Sequence, residues 1–446
     1  MHYNGALELD RYLAREYAPL GQRARAIVAL ARGAPARLAA APRQPRGRLA
    51  APWLTIAIFE VEGQLEFLRA DVREALAPLT DPRLRADVDD ALATLARALE
   101  DHRAFLVARQ EHSDQSHVLG AAALERDVEA YQAVDGDVDE LERLGRDAVA
   151  RDTERLALAA RAIDPERPAA DVVREVLAVK PLDVLVEARR QSAEARRFIL
   201  ERDLMRLPGK AVAEVRETPP YARTASAMLD GAGPFEPETM PSFYLISPPD
   251  SRLPPAEQAA YVPSTWDLMV ITTHELYPGH FVDELHRRTI PSRVLKSFWH
   301  QLVGEGWAHY TEQLMWEEGF ARRDPRFHVA QLFESLIRDQ RLLCAIGIHA
   351  RGMTVDECAA AMREVAYQDA ANARDEAVRG TYDPTYLSYT LGKQLILELR
   401  EEVREREGER FRLRDFHDRF LALGGAPFPA IRRAMLGLPP GVTPAR

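Results

Sequence analysis

The segment richest in chemistry is Thr272-Thr273-His274-Glu275-Leu276-Tyr277-Pro278-Gly279-His280. Two histidines bracket a glutamate, the set with which zinc peptidases of the H-E-x-x-H type work: two neutral imidazoles hold the metal, and the glutamate accepts a proton from the attacking water. Zinc allows this at neutral pH by lowering the pKa of a bound water to about 7. The spacing here is longer than in that motif. Histidines four apart lie about 40° from each other around a helix, whereas the step from His274 to His280 turns through roughly 240°. A regular helix would keep the two apart. Pro278 and Gly279 offer a way out, because proline removes a helical donor and glycine accepts unusual dihedrals. A widened turn or a break there would swing His280 back beside His274. The bland alternative is a helix that stops at Tyr277 and leaves two unrelated histidines.

A third ligand is expected in Gly304-Glu305-Gly306-Trp307-Ala308-His309-Tyr310-Thr311-Glu312. A glutamate there completes the two-histidine, one-glutamate pattern of thermolysin-type zinc enzymes, with a fourth position left open. Glu305 is the candidate, since Gly304 and Gly306 let the backbone on either side come close. His309 is its rival, and an ordinary solvated acidic face is the alternative to both. Glu312 shares the helical face of Glu305 and could hydrogen-bond a ligand imidazole from behind.

His274-Glu275-x-x-Pro278-Gly279-His280, followed by Glu305-Gly306-Trp307-Ala308-x-Tyr310-x-Glu312, resembles the bacterial "domain of unknown function 885" family. The resemblance implies a helical zinc peptidase of the gluzincin type, and the Glu-Gly-Trp-Ala block is similar to the Asn-Glu-Gly-Phe-Ala block of aminopeptidases, whose glutamate binds zinc. Further matches are Gly347-Ile348-His349-Ala350-Arg351-Gly352, the run from Pro384 through Ser388-Tyr389 to Gly392, and Arg414-Asp415-Phe416-His417-Asp418. The chain departs from the family at Ser247-Pro248-Pro249-Asp250-Ser251-Arg252-Leu253-Pro254 and at Ile271-Thr272-Thr273, both near the implied substrate groove. The likeness covers the C-terminal half; the first 210 residues match only in helical texture.

With zinc at His274, His280 and Glu305, Glu275 is the expected general base, later passing its proton to the leaving amine. The oxyanion needs a donor besides the metal. Tyr389 is the candidate, because a helix starting at Asp383 would project Tyr382, Tyr386 and Tyr389 from one face. Tyr386 is the weaker choice, and an aromatic packing stripe is the alternative. His349 and Arg379 could bind a substrate carbonyl or carboxylate, Arg379 through a bidentate pair. Their plain readings are a core histidine and a surface ion pair.

The elements that must position these residues are helical. Residues 1–210 are rich in Ala, Leu, Arg, Glu and Asp, with apolar positions recurring at three and four, as at Val88, Leu92, Leu95 and Leu99. Several long antiparallel helices are expected. Leu20 to Trp53 carries seven arginines and no acid, and reads as a solvated loop broken by Pro35, Pro42 and Pro45 rather than as a contact patch for an acidic partner. Residues 211–263 form a Pro-rich connector: ten of the 30 prolines fall between 216 and 263, a density that excludes long helices. Within it, Ser242–Ser247 reads as an edge strand between prolines, able to pair with an extended peptide. From 264 to 446 helices return, beginning with Ser264 as N-cap and Asp267 three residues on. The expected fold class is all-α with a small β element, a zinc-peptidase-like architecture with a deep cleft, in three segments: 1–210, 211–263 and 264–446.

Composition narrows the function. A net charge of −10 over 446 residues argues against a duplex nucleic-acid binder. Two cysteines are too few for a disulfide framework and fit a reducing compartment. The opening residues lack the basic and apolar regions of a secretory leader, and no run of 18 apolar residues exists to span a membrane. A cytoplasmic zinc metallopeptidase acting on short peptides is therefore expected. Two rival readings fit these residues less well. A non-catalytic binding scaffold that keeps metal for structure normally closes its site with four protein ligands. A di-iron helical bundle needs matched Glu-x-x-His pairs, and only Asp283-x-x-His286 comes near.

Overall fold

The structure, a computed structural model, describes residues 7–40, 49–134, 136–219, 223, 226–249 and 253–439. Two compact units divide the chain, Met1–Val118 with Pro219–Thr224, and Leu119–Thr218 with Ala225–Arg446. The second unit thus reaches back across the 210/211 line drawn from the sequence and takes up the helices from residue 121 onward.

The first unit holds α1 (Leu20–Ala40), α2 (Ala51–Arg69), α3 (Asp71–Leu76) and α4 (Pro82–Gln110). Asp81 starts α4 by accepting the Arg83 and Leu84 N–H groups, with Pro82 in the first turn, where its missing donor does no harm. Val88, Leu92, Leu95 and Leu99 are buried against α1 and α2, as their spacing predicts. The loop expected from Leu20 is not found: α1 runs through Pro35 to Ala40. Ala24, Ile27, Ala31, Ala34 and Leu38 bury one face of it, and that packing outweighs the local cost of the proline. Pro42 and Pro45, and the arginines at 43, 46 and 48, lie outside the described residues.

The second unit contains α5 (Ala121–Asp127), α6 (Val138–Ile163), α7 (Ala169–Ala178) and α8 (Val184–Glu201), then a small sheet of β1 (Glu214–Glu217), β2 (Ala227–Asp230) and β3 (Phe243–Ile246). After these come α9 (Pro255–Tyr261), α10 (Thr265–Glu275), α11 (His280–Thr289), α12 (Arg293–Ser297) and α13 (Gln301–Glu318). The chain ends in α14 (Pro325–Ala350), α15 (Val355–Glu364), α16 (Ala370–Tyr382), α17 (Ser388–Glu407), α18 (Leu413–Leu421) and α19 (Phe428–Met435). The fold is predominantly helical with one three-stranded sheet, as expected. The axial element is α14, which packs against α6, α10, α13, α16 and α17 and is buried on nearly every side from Phe327 to His349.

Three further expectations differ from what the fold shows. Ser242–Ser247 is not an edge: β3 lies in the middle, parallel to β1 and antiparallel to β2. Its prolines, Pro241 and Pro248, flank the strand and remove no ladder donor, and all four strand residues are buried, which suits a central position. Nor does one helix run from Asp383. Asp383 engages Arg379 and Thr385 instead of capping, and Pro384–Leu387 makes a 3₁₀ turn before α17. Tyr382, Tyr386 and Tyr389 therefore share no helical face. Finally, Cys344 on α14 and Cys358 on α15 are joined in a disulfide with Cα atoms 5.6 Å apart. Two cysteines suffice for one such bond, and it speaks against a reducing compartment.

Candidate metal centre

The site begins where α10 ends. Ser264 caps α10 by accepting the Asp267 N–H at 3.0 Å, which sets the phase that carries His274 and Glu275 inward. Helix stops at Glu275 and resumes at His280 in α11, with a cis Tyr277–Pro278 peptide between. The Gly279 N–H returns to the Thr273 carbonyl at 3.1 Å. A Cβ at position 279 would lie 1.7 Å from the His274 oxygen, so only glycine allows this close return. The Trp307 indole N–H holds the Pro278 carbonyl at 2.9 Å. The break brings the two imidazoles to 4.8 Å between centroids, at 89°.

Glu305 arrives on α13. Its Oε2 lies 3.5 Å from His274 Nε2 and 3.3 Å from His280 Nε2, and the three donor atoms all fall within 4.8 Å of one another. Tetrahedral zinc bonds of about 2.0–2.1 Å place their donors roughly 3.3–3.4 Å apart. Glu305 Oε2 is buried and makes no hydrogen bond, so it is an orphaned acceptor aimed at both imidazoles. Three donors of this type at these separations fit a zinc ion. Charge agrees. Burial alone would lower the His274 pKa, but Glu305 and Glu312 outweigh it and hold it up at about 9, an anionic setting in which a metal ion would take the place of the Nε2 proton. Burial opposes the Glu305 charge, but the two histidines hold its carboxyl well below the usual range.

The remaining groups position this triad. Glu312, one face along α13, accepts from His274 Nδ1 at 2.7 Å. A carboxylate can only accept, so the bond sets the His274 tautomer and leaves Nε2 for a metal. Burial opposes the Glu312 charge, but Arg338, His309 and His274 keep its carboxyl well below the usual range. Arg338 reaches Glu312 Oε1 at 3.1 Å and also pairs with Glu334. His309, the rival ligand, points the other way: its Nδ1 bonds Glu312 Oε2 at 3.0 Å, and burial, followed by Lys393, holds its pKa down at about 3. Glu275 is buried, which raises its carboxyl pKa, and its Oε2 accepts the Leu229 N–H of β2 at 2.8 Å. The Ser226 carbonyl accepts from the Ser247 N–H just past the end of β3, so by alternation Ala227 and Leu229 turn their main-chain groups to the outer side of the sheet, towards Glu275.

Tyr389 joins the centre. Its ring lies 6.2 Å from that of His274, and Arg379 Nη2 donates to its hydroxyl at 3.3 Å. It gets there because α13 and α17 touch at glycines: a Cβ on Gly306 would sit 2.6 Å from Gly392 Cα, and one on Gly392 would sit 2.1 Å from the Leu302 carbonyl. Arg379 also directs Nε and Nη2 at Asp383 Oδ2. Its fork therefore meets a protein carboxylate and supports the phenol. Tyr386 and His349 stay outside the triad. Tyr386 is fully buried beside Gly380, and His349 donates from Nε2 to the Gly380 carbonyl at 2.8 Å, tying α14 to α16. Asp283 and His286 engage Arg287 and the Arg206 carbonyl. Arg338 and the Leu229 N–H were not foreseen. The first stands among Glu334, Asp339, Gln340 and Arg341 on the same helix and so carried no signal that set it apart; the second, a backbone group, had none either.

The chain belongs to the DUF885 family, described as bacterial protein of unknown function, whose model matches residues 2–435. No curated protein matches it. Among solved structures, one from Shewanella oneidensis, described as a "putative lipoprotein of unknown function", aligns with a TM-score of 0.77 and 24% identity over 97% of this chain and 82% of that one. A second, a "putative lipoprotein" from Colwellia psychrerythraea, aligns with a TM-score of 0.75 and 19% identity over 93% of this chain and 76% of that one. At these identities the likeness shows the fold. The lipoprotein descriptions overturn the expectation of a cytoplasmic protein, and the Cys344–Cys358 disulfide agrees with that correction. Among the described residues no helix is long and apolar enough to cross a membrane.

Proposed function

We propose that this DUF885 member is a zinc-dependent metallopeptidase of the gluzincin type that hydrolyses peptide bonds in short peptides. One observation carries the proposal: His274, His280 and Glu305 offer three converging donors, and Glu275, next in sequence to the first of them, has its carboxylate fixed by a backbone N–H. Zinc held by the three would supply Lewis acidity, making water acidic near neutral pH and polarising a carbonyl. With Oε2 held by Leu229, Glu275 has Oε1 to accept the proton of the attacking water and return it to the leaving amine. Tyr389, steadied by Arg379, donates its hydroxyl to the oxyanion as it develops. The outer side of β2 takes over the docking role expected of Ser242–Ser247, offering Ala227 and the Leu229 carbonyl to an extended peptide. The lipoprotein descriptions of the two relatives and the disulfide support a place in the cell envelope for this activity.

The test is zinc content together with peptide-library cleavage, for the native chain and for Glu275→Gln. The expected result is one zinc in each, with cleavage slowed about a hundredfold or more in the variant. A native protein that takes up no zinc, or a variant that cuts as fast as the native one, sinks the proposal. Zinc without cleavage of any peptide leaves a metal-containing binding scaffold in its place.

A further inference from the structure

Around the metal centre most rings are closed off: Trp307 and Tyr389 are buried. Trp299, in the segment between α12 and α13, is the exception. Its indole lies 6.4 Å from the His280 ring, centroid to centroid, yet the residue is 45% exposed, and Phe298 beside it is 61% exposed. Single exposed aromatics are common on protein surfaces and by themselves signify little. This one is held in place. A Cβ on Gly304 would fall 2.5 Å from the indole Nε1 and 2.6 Å from Cε2, so the ring lies flat on α13 one residue before Glu305. A Cβ on Gly425 would fall 1.9 Å from the Phe298 carbonyl, so the backbone of the same segment is seated on a second glycine. Two glycines thus fix an aromatic face in the open, beside one metal ligand and against the backbone of another.

We infer that Trp299 is a specificity-determining residue: its exposed indole face receives an apolar side chain of the substrate next to the bond being broken. The inference rests on the peptidase reading for its substrate class. A peptide whose scissile carbonyl reaches the triad must place the flanking side chains within a few ångströms of it. On the His280 side the surface that meets them is the indole. An aromatic face there favours apolar or aromatic side chains over small or charged ones.

Amino-acid hydroxamates, which grip zinc and carry one side chain, test this apart from turnover. Phenylalanine hydroxamate and glycine hydroxamate are titrated calorimetrically into the zinc-loaded full chain, into Trp299→Ala and into Trp299→Phe. The native protein should bind the phenylalanine compound about tenfold more tightly, the low end of what one hydrophobic contact discriminates. Trp299→Ala should bring the ratio close to one while zinc content and glycine hydroxamate affinity stay within about twofold, and Trp299→Phe should keep most of the preference. Equal affinities in the native protein, binding of neither compound, or a preference that survives Trp299→Ala overturns the inference. A native protein that shows the preference and loses it in Trp299→Ala, yet cuts no peptide, removes the peptidase reading and leaves the indole as a side-chain receiver.

Discussion

The two units are built from similar helices but bury different things. In the first, the core is Leu, Ala, Val, Ile and Phe, and among its described residues only Arg23, His102 and His117 are buried polar groups. In the second, an unbroken polar chain runs through the interior: His274 to Glu312, Glu312 to His309 and Arg338, and from His309 past Ser335 to Asp152 and Lys393. Burying charge is expensive, and a buried ion pair is often no better than an apolar pair of the same shape. The second unit therefore does not carry this chain for stability. What the chain does is hold one imidazole in one tautomer and one orientation, which a metal site needs and an apolar core cannot provide.

The contrast can be broken most directly at Arg338. Arg338→Leu leaves Glu312 and Glu334 buried without their cation and should destabilise the second unit by about 4 kcal/mol. Amide exchange should show the loss in α13 and α14 while protection in α1, α2 and α4 is unchanged; a loss below about 1 kcal/mol would mean that the buried charges do not depend on one another. The mirror experiment is Leu95→Ala, which opens a cavity in the apolar unit and should cost about 3 kcal/mol. Urea denaturation would register it, and a fall in zinc affinity in this variant would contradict the separation of the two roles.

The smallest effect comes from pH. Burial, only partly offset by its bond to the Leu204 carbonyl, holds the His417 pKa down at about 4. Unfolded histidine protonates near 6.5, so between those values the unfolded chain binds the extra proton. The stabilising contribution is complete above about pH 6.5 and declines as the pH falls towards 4, amounting to a loss of about 2 kcal/mol at pH 5. Thermal unfolding of the second unit followed from pH 7 to pH 5 should show the decline, and His417→Gln should make it shallower by about that amount, the remainder coming from other buried histidines such as His309 and His328, whose pKa values burial holds down at about 3 and about 4.

The sequence disclosed the triad, because ligand chemistry is carried by residue identity over short spans, and it disclosed α4 and the capped start of α10 through periodicity and an N-cap. The rest depended on contacts between distant segments. A four-residue strand between prolines reads alike at an edge and in the middle of a sheet, so the place of β3 required β1 and β2. Leu229 reaches Glu275 through its backbone, which has no residue signature. Arg338 acts from 26 residues beyond Glu312. At Pro384 the local rule for a helix start lost to Arg379, which claimed the Asp383 side chain.

The glycine contact between α13 and α17 works as a gauge block. Glu305 stands one residue before Gly306 and Tyr389 three before Gly392, so the spacing of the two helices sets the gap between the Glu305 carboxylate and the phenol. A single methyl group at either glycine would act as a shim. It would touch neither functional group, yet it would change the size of bond the site can span while leaving its chemistry alone.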